Sequence, residues 1–175
     1  MSRGLIRVYH GDGKGKTTAA MGLGLAMAGQ GVPVLMLQFM KGRPTGEVAA
    51  LAQVPGVTLL RAEGLQKFSW EMTQEERQQA RQNQDRLLAR GIAEVQGGPW
   101  GLLVLDEALG ACATGLLDEG ALLDFLDGKP PALEVVLTGR GPSAALLEAA
   151  QLVTEMKKQK HPYDQGISAR KGVEF

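Results

Sequence analysis

A run of eight residues, Gly11-Asp12-Gly13-Lys14-Gly15-Lys16-Thr17-Thr18, narrows the folds open to this 175-residue chain more than any other segment. It follows a short apolar stretch, Leu5 to Tyr9, that reads as a strand, and it opens an apolar segment, Lys16 to Gln30, that reads as a helix. Gly15-Lys16-Thr17 matches the end of the phosphate-loop pattern G-x-x-x-x-G-K-[ST]. Glycines let backbone N–H groups converge on phosphate oxygens, and the helix N-terminus adds partial positive charge. Lys16 adds a full charge, and the Thr17 hydroxyl is placed for Mg²⁺. His10 stands where the pattern has its first glycine. Glycine is abundant throughout, 24 residues, about twice the average usage, and the clustering at strand-to-helix junctions directs attention to backbone contacts with a ligand.

The rest of the chain alternates in the same way. Pro33 to Phe39 reads as a strand, Val57 to Arg61 as another after the Pro55-Gly56 turn, and Leu102 to Leu105 as a buried one. Leu133 to Thr138 and Leu152 to Glu155 follow. Between them lie a long polar helix starting at Thr73-x-x-Glu76, which has capping-box spacing, and ending at Gly97-Gly98-Pro99, and shorter helices over Asp118 to Leu126 and Ser143 to Ala150. The Gln, Arg and Glu residues of the long helix read as a solvated face. Strands separated by helices imply an α/β chain with three layers and a mainly parallel sheet. With no repeat, low-complexity tract or linker, residues 1–175 are expected to form one domain.

Composition excludes several functions. Nineteen basic residues balance nineteen acidic ones, which speaks against a nucleic-acid binder or a polybasic membrane-surface protein, so any anion must be held locally. Cys112 is the single cysteine and, with only His10 and His161, cannot make a zinc site. A reducing cytoplasm is expected, since the N-terminus shows no apolar run of signal-peptide length. Thr17 to Met40 is uncharged and long enough for a membrane span, but its glycines and Pro33 favour a buried helix followed by a buried strand.

Three further groups are candidates for the site. Asp106-Glu107 closes the apolar run Leu102 to Leu105, as an acid does at the phosphate-binding edge of a sheet, where it holds Mg²⁺ or water. Open α/β sheets bind ligands at the carboxyl ends of their strands, where this acid and the phosphate loop would meet. Arg140, in Thr138-Gly139-Arg140-Gly141, would reach the same edge, either to clamp a phosphate or as a solvated turn residue. Phe68 and Trp70 flank Ser69 in an expected loop and fit either a core plug or a flat apolar contact for a planar ligand.

Taken together these segments resemble the ATP:corrinoid adenosyltransferases of cobalamin biosynthesis. The resemblance is collinear and runs through Val8-Tyr9, Gly11 to Ala20, Gln38-Phe39-Met40-Lys41-Gly42, Phe68-Ser69-Trp70-Glu71, Val104 to Glu107 and Thr138 to Gly141. It continues in the tail, Lys160-His161-Pro162-Tyr163-Asp164, Gly166-Ile167 and Ala169 to Phe175, which no general phosphate-loop argument explains. Members of that family commonly lack the first glycine, so His10 is ordinary among them. The resemblance implies a RecA-like P-loop fold and a homodimer. It also implies transfer of the 5′-deoxyadenosyl group of ATP to cob(I) of a corrinoid with release of triphosphate, in synthesis or salvage.

By the same resemblance, Gly11, Asp12, Gly13, Lys14, Gly15, Lys16, Thr17 and Thr18 bind ATP with Arg140, and Lys16 and Glu107 carry catalysis. Mg²⁺ is the implied cofactor, held by Thr17, Asp106 and Glu107. Phe68 and Trp70 lie against the corrin, favour loss of the lower cobalt ligand and so ease reduction, the electron coming from a reductase or flavoprotein. Some relatives carry an N-terminal segment that covers the site. Here the phosphate loop begins about ten residues in, so another part is expected to close the pocket, or the pocket stays open. Cob(I) is itself a strong nucleophile, which agrees with the lack of a Ser, Cys or His nucleophile constellation. A small P-loop kinase, releasing ADP, and a RecA-like ATP-dependent switch are the rival readings.

Overall fold

The computed structural model describes residues 3–42, 46–62, 67, 69–166 and 170. Six strands form one sheet: β1 (Ile6–His10), β2 (Val34–Gln38), β3 (Val57–Arg61), β4 (Leu102–Asp106), β5 (Glu134–Gly139) and β6 (Leu152–Glu155). Their order across the sheet is β3-β2-β4-β5-β1-β6, and every neighbouring pair is parallel. All six expected strands are present. Strand β5 lies between the strand that leads into the glycine loop and the strand that ends in the acid. This is the RecA-like arrangement.

Among the described residues the α-helices are α1 (Lys16–Gly29), α2 (Gly46–Leu51), α3 (Gln74–Gly97), α4 (Ala108–Ala113), α5 (Glu119–Gly128) and α6 (Ala144–Ala149). Successive strand side chains point to opposite faces, and the two faces build separate cores. Leu35, Leu37 and Phe39 join Leu103, Leu105, Val135 and Leu137 under α3, α4, α5 and α6. Val34 and Met36 join Leu102, Val104 and Val136 under α1 and α2. Every residue of β2 and β4 is buried, because both faces of these strands are covered. Each fully buried Leu or Val contributes on the order of 1.5–3 kcal/mol relative to exposure. The uncharged stretch from Thr17 to Met40 is therefore α1 and β2. Among the described residues, no helix is long and apolar enough to cross a membrane.

Helix starts follow their local chemistry. The Thr73 side chain accepts from the Glu76 N–H and the Glu76 side chain accepts from the Thr73 N–H, at 3.2 and 2.9 Å, completing the expected capping box. Asp118 and Ser143, expected inside their helices, instead cap them by accepting from Ala121 and Leu146. Sequence reasoning passed over α2 and α4, both six residues long and too short to show a helical period. The expected loop at Trp70 contains a 3₁₀ turn, Ser69–Glu71. One expectation for α3 fails: Gln84, placed on a solvated face, is fully buried.

Candidate active site

Register brings the functional groups to one edge. At the carboxyl ends of the strands, Gln38 lies opposite both Arg61 and Asp106, while His10 lies opposite Gly139 and Glu155. The loop between β1 and α1 wraps over this edge. Gly11 and Gly15 have φ of +111° and +104°, a region that side-chain-bearing residues rarely adopt. A Cβ on Gly11 would also stand 2.3 Å from the Met156 carbonyl oxygen. Met156 leaves β6 against the loop: its N–H donates to His10 O and its carbonyl accepts from Gly13 N–H, both at 2.7 Å. The Lys158 N–H donates to the Asp12 carboxylate at 2.9 Å, and this bond holds the Asp12 carboxyl below its ordinary range. The glycines thus serve the packing of the loop on β6 as well as an open backbone. His10 needs no glycine geometry, because it remains within β1.

Lys16 is 7% exposed and folds back over the loop, donating to Gly11 O at 2.8 Å and Gly13 O at 2.7 Å. Burial lowers its pKa, and Glu107 opposes that shift. Thr17 and Thr18 sit in the first turn of α1, Thr17 half-buried and Thr18 exposed, and Lys14 is exposed in the loop before it. Arg140 is exposed and its guanidinium donates to Asp12 O at 3.4 Å, so it lies at the phosphate loop.

Asp106 is the hub. It is fully buried, and its Oδ1 accepts from the hydroxyls of Thr17 and Thr138, each at 2.7 Å. Its Oδ2 accepts from Lys41 Nζ at 2.7 Å and from Gln38 Nε2 at 3.3 Å. Glu107, the next residue, has φ +61°, an uncommon conformation for a residue with a side chain, and its N–H donates to Thr138 Oγ1 at 2.9 Å. Burial raises the Glu107 pKa, and repulsion from Asp106 adds to the rise, while Lys41, Lys16 and Arg140 pull it down.

Thr17 and Asp106 supply hard oxygen donors suited to Mg²⁺. Gln38, whose amide Nε2 donates to Asp106, keeps its Oε1 buried without a hydrogen-bond partner. The described residues hold no group of three or more His, Cys, Asp or Glu able to bind a metal alone. The donor set therefore fits Mg²⁺ that also takes ligands from phosphate and water, as Mg²⁺ in nucleotide sites does.

Trp70 is 77% exposed, so it is no core plug; Phe68 lies outside the described residues. The Arg77 guanidinium donates to Ser69 O and Thr114 O, which pins the Trp70 turn to the segment after α4. Half of the tail that carries the resemblance also lies outside the described residues, at 167–169 and 171–175.

Several of these participants were not assigned a role from the sequence: Gln38, Lys41, Thr138, Arg77 and Met156. Gln38 and Lys41 had a detectable signal. They close a buried strand at the same sheet edge as the acid, and a strand neighbouring the acid strand delivers its end residues to the same place. Arg77 and Met156 act through backbone contacts that no residue pattern announces.

Over residues 2–175 the sequence matches the family model described as ATP:corrinoid adenosyltransferase BtuR/CobO/CobP. The chain belongs to this family. It is 37% identical to the corrinoid adenosyltransferase of Pseudomonas aeruginosa over 175 residues, spanning 99% of this chain and 84% of that protein. To corrinoid adenosyltransferase CobA of Salmonella typhimurium it is 34% identical over 180 residues, spanning 99% and 86%. The fold is also similar to the cytoplasmic domain of the type VII secretion ATPase EccC of Thermomonospora curvata, with a TM-score of 0.50 and 20% identity over 94% of this chain and 21% of that one. That likeness concerns the fold alone. As an ATP:corrinoid adenosyltransferase the chain is a transferase with ATP and a corrinoid as its substrates.

Proposed function

We propose that this chain, acting as a single domain over residues 1–175, attaches the 5′-deoxyadenosyl group of ATP to the cobalt of a reduced corrinoid. In this step cob(I) donates an electron pair to C5′ of the ribose, a cobalt–carbon bond forms, the C5′–O bond breaks, and triphosphate leaves. No general base is required. The residues have two tasks, holding C5′ near the cobalt and stabilising the charge that grows on the leaving group.

Gly11 to Thr18 would cradle the phosphates through backbone N–H groups, with Lys16 turning from the Gly11 and Gly13 carbonyls to the phosphate oxygens. Arg140, already against the loop, would add a second cation. Thr17 and Asp106 would hold Mg²⁺, with Glu107 on the metal or ribose side; Mg²⁺ bound there supplies charge neutralisation for the triphosphate. Trp70, exposed on its turn, and Phe68 would face the corrin. The resemblance further supports a cytoplasmic homodimer that takes its electron from a reductase or flavoprotein.

The observation that carries this reading is the joining of the phosphate loop to the acid strand through one buried carboxylate, Thr17 to Asp106 at 2.7 Å, in a chain whose family match runs nearly end to end. The test is a product assay with ATP and chemically reduced corrinoid. Triphosphate and the spectrum of the adenosylated corrinoid should rise together. ADP as the product would favour a kinase, and phosphate release without alkylation a switch.

A further inference from the structure

Asp106 has no exposed surface, and a buried carboxylate requires a compensating charge. Thr17, Thr138 and Gln38 give it neutral donors; the one cation bonded to it among the described residues is Lys41. Lys41 Nζ stands 2.7 Å from Asp106 Oδ2 and 3.4 Å from Thr17 Oγ1, between the two groups that would hold Mg²⁺. Lys16 does not take this place in the empty enzyme, where its ammonium donates to the Gly11 and Gly13 carbonyls.

The backbone is built to aim Lys41 there. After β2 the chain turns at Met40, whose φ of +57° is uncommon for a residue with a side chain. The buried Gln84 Oε1 accepts from the Met40 N–H at 3.2 Å, and Arg61 Nη2 donates to Lys41 O at 2.9 Å. The base of Lys41 is therefore fixed from α3 and β3. Its side chain is 22% exposed and runs on a flexible stem, so the head can swing away without disturbing the strand. Mg²⁺ binds oxygen ligands at about 2.0–2.1 Å, so a metal on Thr17 and Asp106 would stand within about 5.5 Å of the present ammonium position. Two cations so close repel.

We propose that Lys41 is a resident counter-cation of the metal position: in the empty enzyme its ammonium occupies the Thr17–Asp106 pair and excludes divalent metal, so that metal is admitted together with ATP, whose phosphates draw Lys41 away. The proposal rests on Thr17 and Asp106 being the metal pair. It orders binding, preventing bare metal from taking up the site before the nucleotide arrives. It also delivers Lys41 to the triphosphate as an added cation.

The experiment uses the full chain and Mn²⁺ as the probe, with equilibrium dialysis and thermal melts on wild type, Lys41→Met, Lys41→Gln and Asp106→Asn. Without nucleotide, Lys41→Met should retain Mn²⁺ about tenfold or more better than wild type. Millimolar Mn²⁺ should raise the melting temperature of Lys41→Met and leave that of wild type unchanged. Lys41→Gln, which can still donate to Asp106 but carries no charge, should behave like Lys41→Met and serves if that variant does not fold. Equal Mn²⁺ uptake by wild type and the charge-free variants would overturn the proposal. So would variants that are destabilised and not restored by Mn²⁺, which would make Lys41 a static structural partner. The metal assignment fails separately: with ATP present, Asp106→Asn retaining as much Mn²⁺ as wild type would remove it.

Discussion

Replacing Asp106 by Asn keeps the shape of the hub and removes its charge, and the consequence can be worked from its four bonds. An amide offers one acceptor oxygen and one NH₂. Turned toward Lys41 and Gln38, the NH₂ meets two donors. Turned toward Thr17 and Thr138, it meets hydroxyls that already accept from Lys41 and from the Glu107 N–H. In the first orientation the bond to Lys41 is lost, and in the second it loses its anionic acceptor while at least one hydroxyl must reorganise. Hydrogen bonds to charged groups are worth about 1.5–3 kcal/mol net. The larger cost of about 3–5 kcal/mol for a stranded buried charge is not reached, because Lys41 keeps an outlet to solvent. The expected loss is about 2–3 kcal/mol, which for a chain of this size lowers Tm by roughly 4–12 °C. Denaturant and thermal melts of the empty enzyme measure it, and the Mg²⁺ dependence of turnover should weaken in the same variant. A stability change within about 0.5 kcal/mol would refute the hub, since that is the range of an ordinary surface substitution. A rise in Tm would mean that desolvation of the carboxylate outweighs all four bonds.

Lys16→Ala should retain its fold by circular dichroism while kcat falls about 100-fold or more, a typical loss for a transition-state contact; near-native turnover at saturating ATP would overturn the phosphate-loop role. Trp70→Ala should cost less than about 1 kcal/mol of stability, against the 3–5 kcal/mol of a buried aromatic, because the ring is mostly exposed. In that variant adenosylation starting from cob(II) and a mild reductant should drop more than adenosylation of pre-formed cob(I), and equal losses would exclude a part in reduction. For Glu107 the sign follows from its raised pKa, caused first by burial and then by Asp106. Such a group adds stability that is fully present below its unfolded pKa and is lost as pH rises through its folded pKa. Glu107→Gln should therefore melt higher than wild type at neutral pH, the gap closing as pH falls into the ordinary carboxylate range. A gap that widens in acid would contradict the raised pKa.

Much of the fold is legible in the residues because the strands are buried on both faces. Continuous apolar runs such as Val34 to Leu37 and Leu102 to Leu105 need cover on two sides, and that need implies helices above and below a parallel sheet. Where helices are short, as in α2 and α4, the period has no room to appear, and their packing on the sheet rather than local preference makes them helical. The boundaries at Asp118 and Ser143 moved by one residue for a related reason. A side chain that bonds the backbone just ahead of it belongs to the cap, and only the fold shows which side of the boundary it takes.

The groups proposed for the site are readable from the chain alone: a glycine loop with Lys16 and Thr17, an acid pair at the end of a buried strand, and a collinear set of family segments from Val8 into the tail. These are local, since each depends on residues adjacent in the chain. The partnering of the charges, in contrast, emerges only from the folded chain. Asp106 meets Thr17, Gln38, Lys41 and Thr138, which arrive from α1, β2, the turn after β2, and β5. Arg77 reaches the Trp70 turn, and Met156 packs on Gly11 and Gly13 across most of the chain length. Sequence spacing carries no information about such meetings. They follow from the strand order β3-β2-β4-β5-β1-β6, which sets side by side strand ends that are far apart in the chain. That order comes from burying two apolar faces at once, a property of the whole sheet and of no single segment.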